Sequence, residues 1–224
     1  MALECRGVRI ALAILAILLS GVAGAAPFAV QVGDARIALD SPPGFSDSQF
    51  TGSPRLVDIA ESLTTASNRI LLFALEDEDL KRFMVGDPIA LRRTVLAVTP
   101  RAMQQESLSL GSFRSYAGAT LPEGPRPAGD LIKYLDAQPH GRANPIGVLR
   151  SDPEVASVLV GTRLAPAREN EPPRYMVSSR TLLLLRGKAL DLSVLSRYES
   201  PADLEWVRTA TGLWIEQLRR LNSR

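Results

Sequence analysis

Residues 174–222 read RYMVSSRTLLLLRGKALDLSVLSRYESPADLEWVRTATGLWIEQLRRLN, and this stretch decides the fold class. Arg174–Arg186 and Ala189–Tyr198 are two long runs rich in Leu and Val, joined at Arg186-Gly187-Lys188. The second alternates through Leu190, Leu192 and Val194, the period-two pattern of a strand with one buried face. Two strands joined by so tight a turn must be antiparallel, because a parallel pair needs a long crossover. Ser200-Pro201-Ala202-Asp203 follows, with a cap, a first-turn proline and an acid at the third helical position. Leu204, Val207, Ala210, Trp214, Leu218 and Leu221 then recur at spacings of three or four, the stripe of an amphipathic helix. Arg219 and Arg220 sit in its last turn, where cations suit the helix dipole. This helix is expected to lie across the sheet with Trp214 inward.

Upstream, Ile146–Leu149 and Val155–Leu164 are strand-like about the turn SDPE (151–154), giving three or four consecutive antiparallel strands. The polar stretch APARENEPPR (165–174) separates them from the last pair. Phe28–Val32 and Arg36–Leu39 read as a hairpin around Gly33-Asp34, and DSPPGF (40–45) is a stop and turn. Ser53-Pro54 opens a helix with Leu56, Ile59, Ala60 and Leu63 on one face, and Asn68 is expected to end it. Ile70–Leu75 reads as a buried strand and Thr94–Val98 as another. Thr99-Pro100 repeats the cap-plus-proline signal and predicts a helix over Arg101–Leu108, with Phe113 and Tyr116 on a second short helix. LPEGPRPAG (121–129) is an exposed loop or hinge, after which Asp130 caps a helix through Leu131, Ile132, Tyr134 and Leu135. The expected class is α+β, a central mainly antiparallel β-sheet flanked by helices.

At the N-terminus, Arg6 and Arg9 precede the apolar run Ile10–Leu19 and the small-residue stretch SGVAGAAP (20–27). A positive head, a short apolar centre and an A-x-A-like exit predict a secretory signal peptide. Ala23 and Ala25 take the two small positions, so cleavage is expected between Ala25 and Ala26. The organisation is then a signal peptide over 1–25 and a single domain over 26–224. The competing reading is an uncleaved anchor, since Ile10–Val30 carries no charge and about 20 apolar residues span a bilayer. Ser20, Gly21, Gly24 and Pro27 interrupt that run. Either reading places the remainder beyond the cytoplasmic membrane: periplasmic or secreted, or anchored to the inner membrane and facing the periplasm. Membrane contact is expected only through this segment, if it is uncleaved.

The 224 residues carry 26 basic and 24 acidic side chains, a net charge of +2. So small an excess gives no nucleic-acid footprint. Cys5 is the only cysteine, which excludes an intrachain disulfide and a cysteine zinc site. Cys5 also precedes the apolar run, so it is no lipidation cysteine. No G-x-S-x-G, S-x-x-K or G-x-G-x-x-G occurs, and Gly187-Lys188 lacks the upstream glycine of a phosphate-binding loop. Glu76–Asp79 lacks the alternating acids of a calcium loop and reads as the acidic first turn of a helix. His140, the single histidine, lies in AQPHGRAN (137–144). It reads as a solvated turn residue, with a general base as the alternative. Trp206 and Trp214 share one helix; Trp206 is nearer the edge of the stripe and is a surface candidate, with packing preferred over a binding platform. No catalytic, cofactor or metal residue is assigned.

The tail, with its long apolar strand, Arg-Gly-Lys turn, second strand and late tryptophan near Leu221-Asn222, resembles exported bacterial proteins of unassigned role. ARIALDSPPGFS (35–46) resembles the opening hairpin and Pro-Gly-Phe turn of the PsbP-like fold, which DcrB-type envelope proteins share. The resemblance covers most of Phe28–Asn222 and rests on structural motifs. It implies an α/β/α sandwich around a central antiparallel sheet and an accessory or adaptor role, with no activity. No family site residue matches a position here, and the metal-linked role of photosynthetic members finds no ligand motif. The function expected is that of a non-enzymatic exported accessory or binding protein of the periplasm or cell envelope, with an envelope protein as partner and no cofactor. Two alternatives stand beside it: a periplasmic hydrolase using a carboxylate pair, and a small-ligand carrier with an apolar cavity between sheet and helix.

Overall fold

The computed structural model describes residues 27–124, 127, 129–166, 168 and 171–223. The expected signal peptide and its Ala25–Ala26 cleavage site lie outside them. The described residues open with the hairpin β1 (Phe28–Val32) and β2 (Ala35–Leu39), which forms its own two-stranded sheet. A second sheet has seven strands in the order β3-β4-β5-β9-β8-β7-β6, all neighbours antiparallel. These are β3 (Phe45–Asp47), β4 (Asn68–Glu76), β5 (Arg93–Pro100), β6 (Ala143–Asp152), β7 (Val155–Leu164), β8 (Arg174–Leu185) and β9 (Lys188–Tyr198). Five α-helices accompany them among the described residues: α1 (Pro54–Ser62), α2 (Asp77–Met84), α3 (Leu110–Thr120), α4 (Leu131–Asp136) and α5 (Pro201–Asn222). The α+β class with a large antiparallel sheet flanked by helices is therefore observed. No helix among the described residues is long and apolar enough to cross a membrane.

Strand alternation sorts the core onto two faces. Leu190, Leu192 and Val194 of β9, with Val177 and Leu183 of β8, face the hairpin and α5, whose Val207, Trp214 and Leu218 are buried against them. Trp214 is fully buried, and its indole Nε1 donates to the Asp40 carbonyl at 2.8 Å. Beneath α5 a hydroxyl seam replaces apolar contact: Ser179 and Thr211 lie 2.7 Å apart, and Ser157 and Thr181 2.6 Å apart. At the end of α5 the Asn222 side-chain amide pairs with both backbone groups of Ala38, donating at 2.8 Å and accepting at 2.9 Å. It thereby stands in for a neighbouring strand and ties the hairpin to the helix.

The opposite face carries two separate apolar clusters. Phe73, Leu75, Leu96 and Val98 pack under α1 and α2, through Leu56, Ala60, Leu80 and Phe83. Leu182, Leu184 and Ala189 pack under α3, through Phe113 and Ala117. A bulge in β4 between Ile70 and Leu72 lets Ile70 join the α1 cluster while Leu71 and Leu72 both join the α5 side.

Two expectations are corrected. Thr99-Pro100 does not start a helix over Arg101–Leu108; both residues end β5, and only a single tight turn, Arg101–Met103, follows. The Thr99 hydroxyl is buried and donates to the Ala189 carbonyl, so it serves the sheet and not a helix cap. Asn68 does not end α1 but begins β4, while its amide reaches back to the Thr64 hydroxyl at 2.9 Å.

Candidate functional site

α3 covers β8 and β9 and reaches β7 through the partly buried Ala156 and Val158, but leaves Val148 of β6 exposed on the same face. Its C-terminal half, the Leu121–Gly124 start of the first proline-rich loop and these two strands enclose a groove of about 720 Å³. Such a volume lies within the range of small binding pockets. Phe113, Ala117 and Leu121 form one wall, and Val148, Ala156 and Val158 form the floor. Val148 is 65% exposed there, although it lies in the middle of a strand. The reason is topological: β6 ends the strand order, so among the described residues no further strand flanks its outer edge.

The rim is polar. Arg150 points away to the other face, where it pairs with Asp152 at 2.7 Å and Glu216 at 2.5 Å. Arg219 of α5 joins the same network through Glu154 at 3.2 Å. Arg114 and Glu123, also on the rim, are exposed and in no ion pair among the described residues. A second, smaller groove of about 660 Å³ lies between α1 and β4, floored by Leu56, Ala60, Ile70 and Phe73. Its cations are occupied: Arg69 donates to the Gln31 carbonyl and Arg101 to the Ala66 carbonyl.

The residues singled out from sequence do not meet at either groove. His140 is exposed in the turn before β6, without a hydrogen bond or ion pair among the described residues. Trp206 is partly buried: the Arg93 guanidinium stacks 4.3 Å above its ring and Phe45 lies 5.9 Å away. It packs where α5 starts and offers no open platform. The acidic run disperses by function. Glu76 reaches Arg93, Asp77 accepts from the Ser46 hydroxyl, Glu78 pairs with Arg82, and the buried Asp79 accepts from the backbone of Ala90 and Leu91. No group of His, Cys, Asp or Glu suited to a metal occurs among the described residues.

Burial pushes four carboxyls above their ordinary range: Asp40, Asp47, Glu76 and Asp191. None of them lines the α3 groove, whose only acids are Glu123 and Asp152.

Sequence reasoning missed Lys188, which it treated only as a failed phosphate-loop lysine. Its side chain is 2% exposed, yet it carries an ammonium that meets Asp34 and the Glu106 carbonyl. It missed Asp191 as well, because alternation assigns that residue to the face opposite the α5 core and says nothing of what covers it. The groove gave no local signal either, since α3 and β6–β7 are brought together only by the fold. Comparison with protein-family models, with curated proteins and with solved structures returns no match.

Proposed function

We propose that this chain is an exported accessory protein of the cell envelope, one that binds a partner and does not transform it. The groove beside α3 is its binding surface, and an extended segment of an envelope protein is the occupant. The single observation behind this reading is the apolar groove of about 720 Å³ lying along the open edge of the sheet. A strand at a sheet edge offers unpaired backbone groups to an extended segment, whose alternate side chains then enter an adjoining apolar groove. The signal-like N-terminus supports the export part of the proposal. The PsbP-like resemblance of ARIALDSPPGFS supports the accessory part.

The test is a photo-crosslinker placed at Arg114 on the groove rim, in the full chain, within envelope extracts. Capture of one defined envelope protein is expected, with loss of capture when Val148→Glu is added. Val148 is largely exposed, so this substitution leaves the fold intact. Capture that ignores Val148→Glu, or no capture, overturns the proposal.

A further inference from the structure

Asp191 occupies the middle of β9, inside the seven-stranded sheet, on the face that carries α1, α2 and α3. Its neighbours in register are Val98 of β5 and Leu182 of β8. Val98 belongs to the α1–α2 cluster and Leu182 to the α3 cluster. The carboxyl therefore sits at the seam between two apolar bodies. Ala189, two residues earlier on the same strand face, also packs under α3. The Asp191 side chain is 13% exposed, and only one oxygen is served: Oδ2 accepts from Arg180 at 3.1 Å. Oδ1 is buried and accepts no hydrogen bond among the described residues.

The charged and titratable groups facing Asp191 are Arg180 from β8 and Tyr116 from α3, whose hydroxyl feels both charges. Val98 and Leu182, directly across the strands, offer none. Arg180 is itself 35% exposed, so its charge is shared with solvent and compensates the carboxylate only in part.

We infer that Asp191 is a proton-linked pin for α3: its neutral form holds the helix down on the sheet, and loss of the proton favours lifting of the helix. A buried carboxylate with one unserved oxygen gains hydration when the helix over it opens. The neutral acid gains far less, so opening and proton release are linked. The raised pKa of Asp191, caused first by burial and only partly offset by Arg180, agrees in sign. A raised folded-state value means a contribution fully present at acid pH and lost as pH rises through it. Since α3 is one wall of the groove, the groove widens in the same direction. This inference does not depend on what the groove holds.

The experiment is amide hydrogen exchange on the full chain and on Asp191→Asn, a permanently neutral near-isostere, at about pH 3 and about pH 8, below and above the ordinary aspartate value. Leu110–Thr120 is the reporter and Pro201–Asn222 the reference. Equal protection of α3 in the two proteins is expected at the acid end. At the alkaline end the wild type is expected to open more readily, by up to about tenfold for each pH unit crossed, the limit for one linked proton. The reference helix changes little. Equal α3 protection at both pH values overturns the inference. So does a difference of the same size in Pro201–Asn222, which would mark a global change in stability.

Discussion

Lys188 Nζ lies 2.6 Å from Asp34 Oδ1, joining the turn of the first hairpin to the turn of the last. The pair is lopsided: the lysine side chain is 2% exposed and the aspartate side chain 82%. The same ammonium donates to the Glu106 carbonyl at 2.8 Å, so three segments distant in sequence converge on it. Its positive charge also holds the Asp34 carboxyl below the ordinary range, chiefly through their hydrogen bond. The lopsidedness predicts unequal mutants. Lys188→Ala removes a buried stem and strips the Glu106 carbonyl of its donor, and should cost about 1–3 kcal/mol. Asp34→Asn should cost less, since its amide oxygen can still accept from the ammonium and the charge it removes stands largely in solvent. Urea denaturation of both variants checks this, and equal losses would assign the effect to the ion pair itself.

Gly33 marks the same junction. Its φ is 58°, and a Cβ placed there would lie 2.0 Å from the Gln104 carbonyl oxygen. Gly33→Ala therefore meets both a left-handed backbone and a backbone clash. The loss should exceed the roughly 1 kcal/mol that a glycine replacement costs through conformation alone. Gly44, at φ 84°, has open space around its Cβ position and serves as the control. Thermal unfolding in which Gly44→Ala is the more damaging of the two would refute this account.

Trp214→Phe should destabilise by about 1–3 kcal/mol, because it leaves the half-buried Asp40 carbonyl without its indole donor and removes volume from the core. Near-ultraviolet circular dichroism and denaturation together distinguish a loosened core from a merely changed chromophore.

Asp203 joins two tasks at the start of α5. Its carboxylate accepts from the backbone N–H groups of Glu199 and Ser200, each at 3.0 Å, and meets Arg92 at 3.1 Å. Burial alone would push this carboxyl up, but those donors outweigh burial and hold it below the ordinary range. A lowered folded-state value contributes stability above the unfolded carboxylate range, and that contribution is lost as pH falls through it. Asp203→Ala should thus cost about 1–2 kcal/mol at neutral pH, as a lost cap does. The gap to wild type should narrow as the solution is acidified into the carboxylate range. A gap independent of pH would remove the electrostatic part of the explanation.

Much of the architecture is legible from local patterns. Val155–Leu164 is a strand with those same ends, and Pro201–Asn222 starts at the expected cap. Gly33-Asp34 and Arg186-Gly187 turn the chain where hairpins were expected, with Arg186 and Gly187 both at positive φ. That pair of angles is what a tight two-residue turn of this hand requires. Thr99-Pro100 misled because a cap signal is local, whereas the hydroxyl that would cap is claimed by Ala189, 90 residues away in sequence.

Periodicity by itself determined which residues alternate and where helices begin, because those are short-range consequences of backbone geometry and turn chemistry. It placed Leu190, Leu192 and Val194 on one face and left Asp191 on the other. Only tertiary structure decided that α3 lies over Asp191, that Lys188 is enclosed by two turns and a loop, and that Val148 of β6 stays uncovered beside α3. Burial and desolvation depend on what arrives from elsewhere in the chain, and no local spacing carries that information.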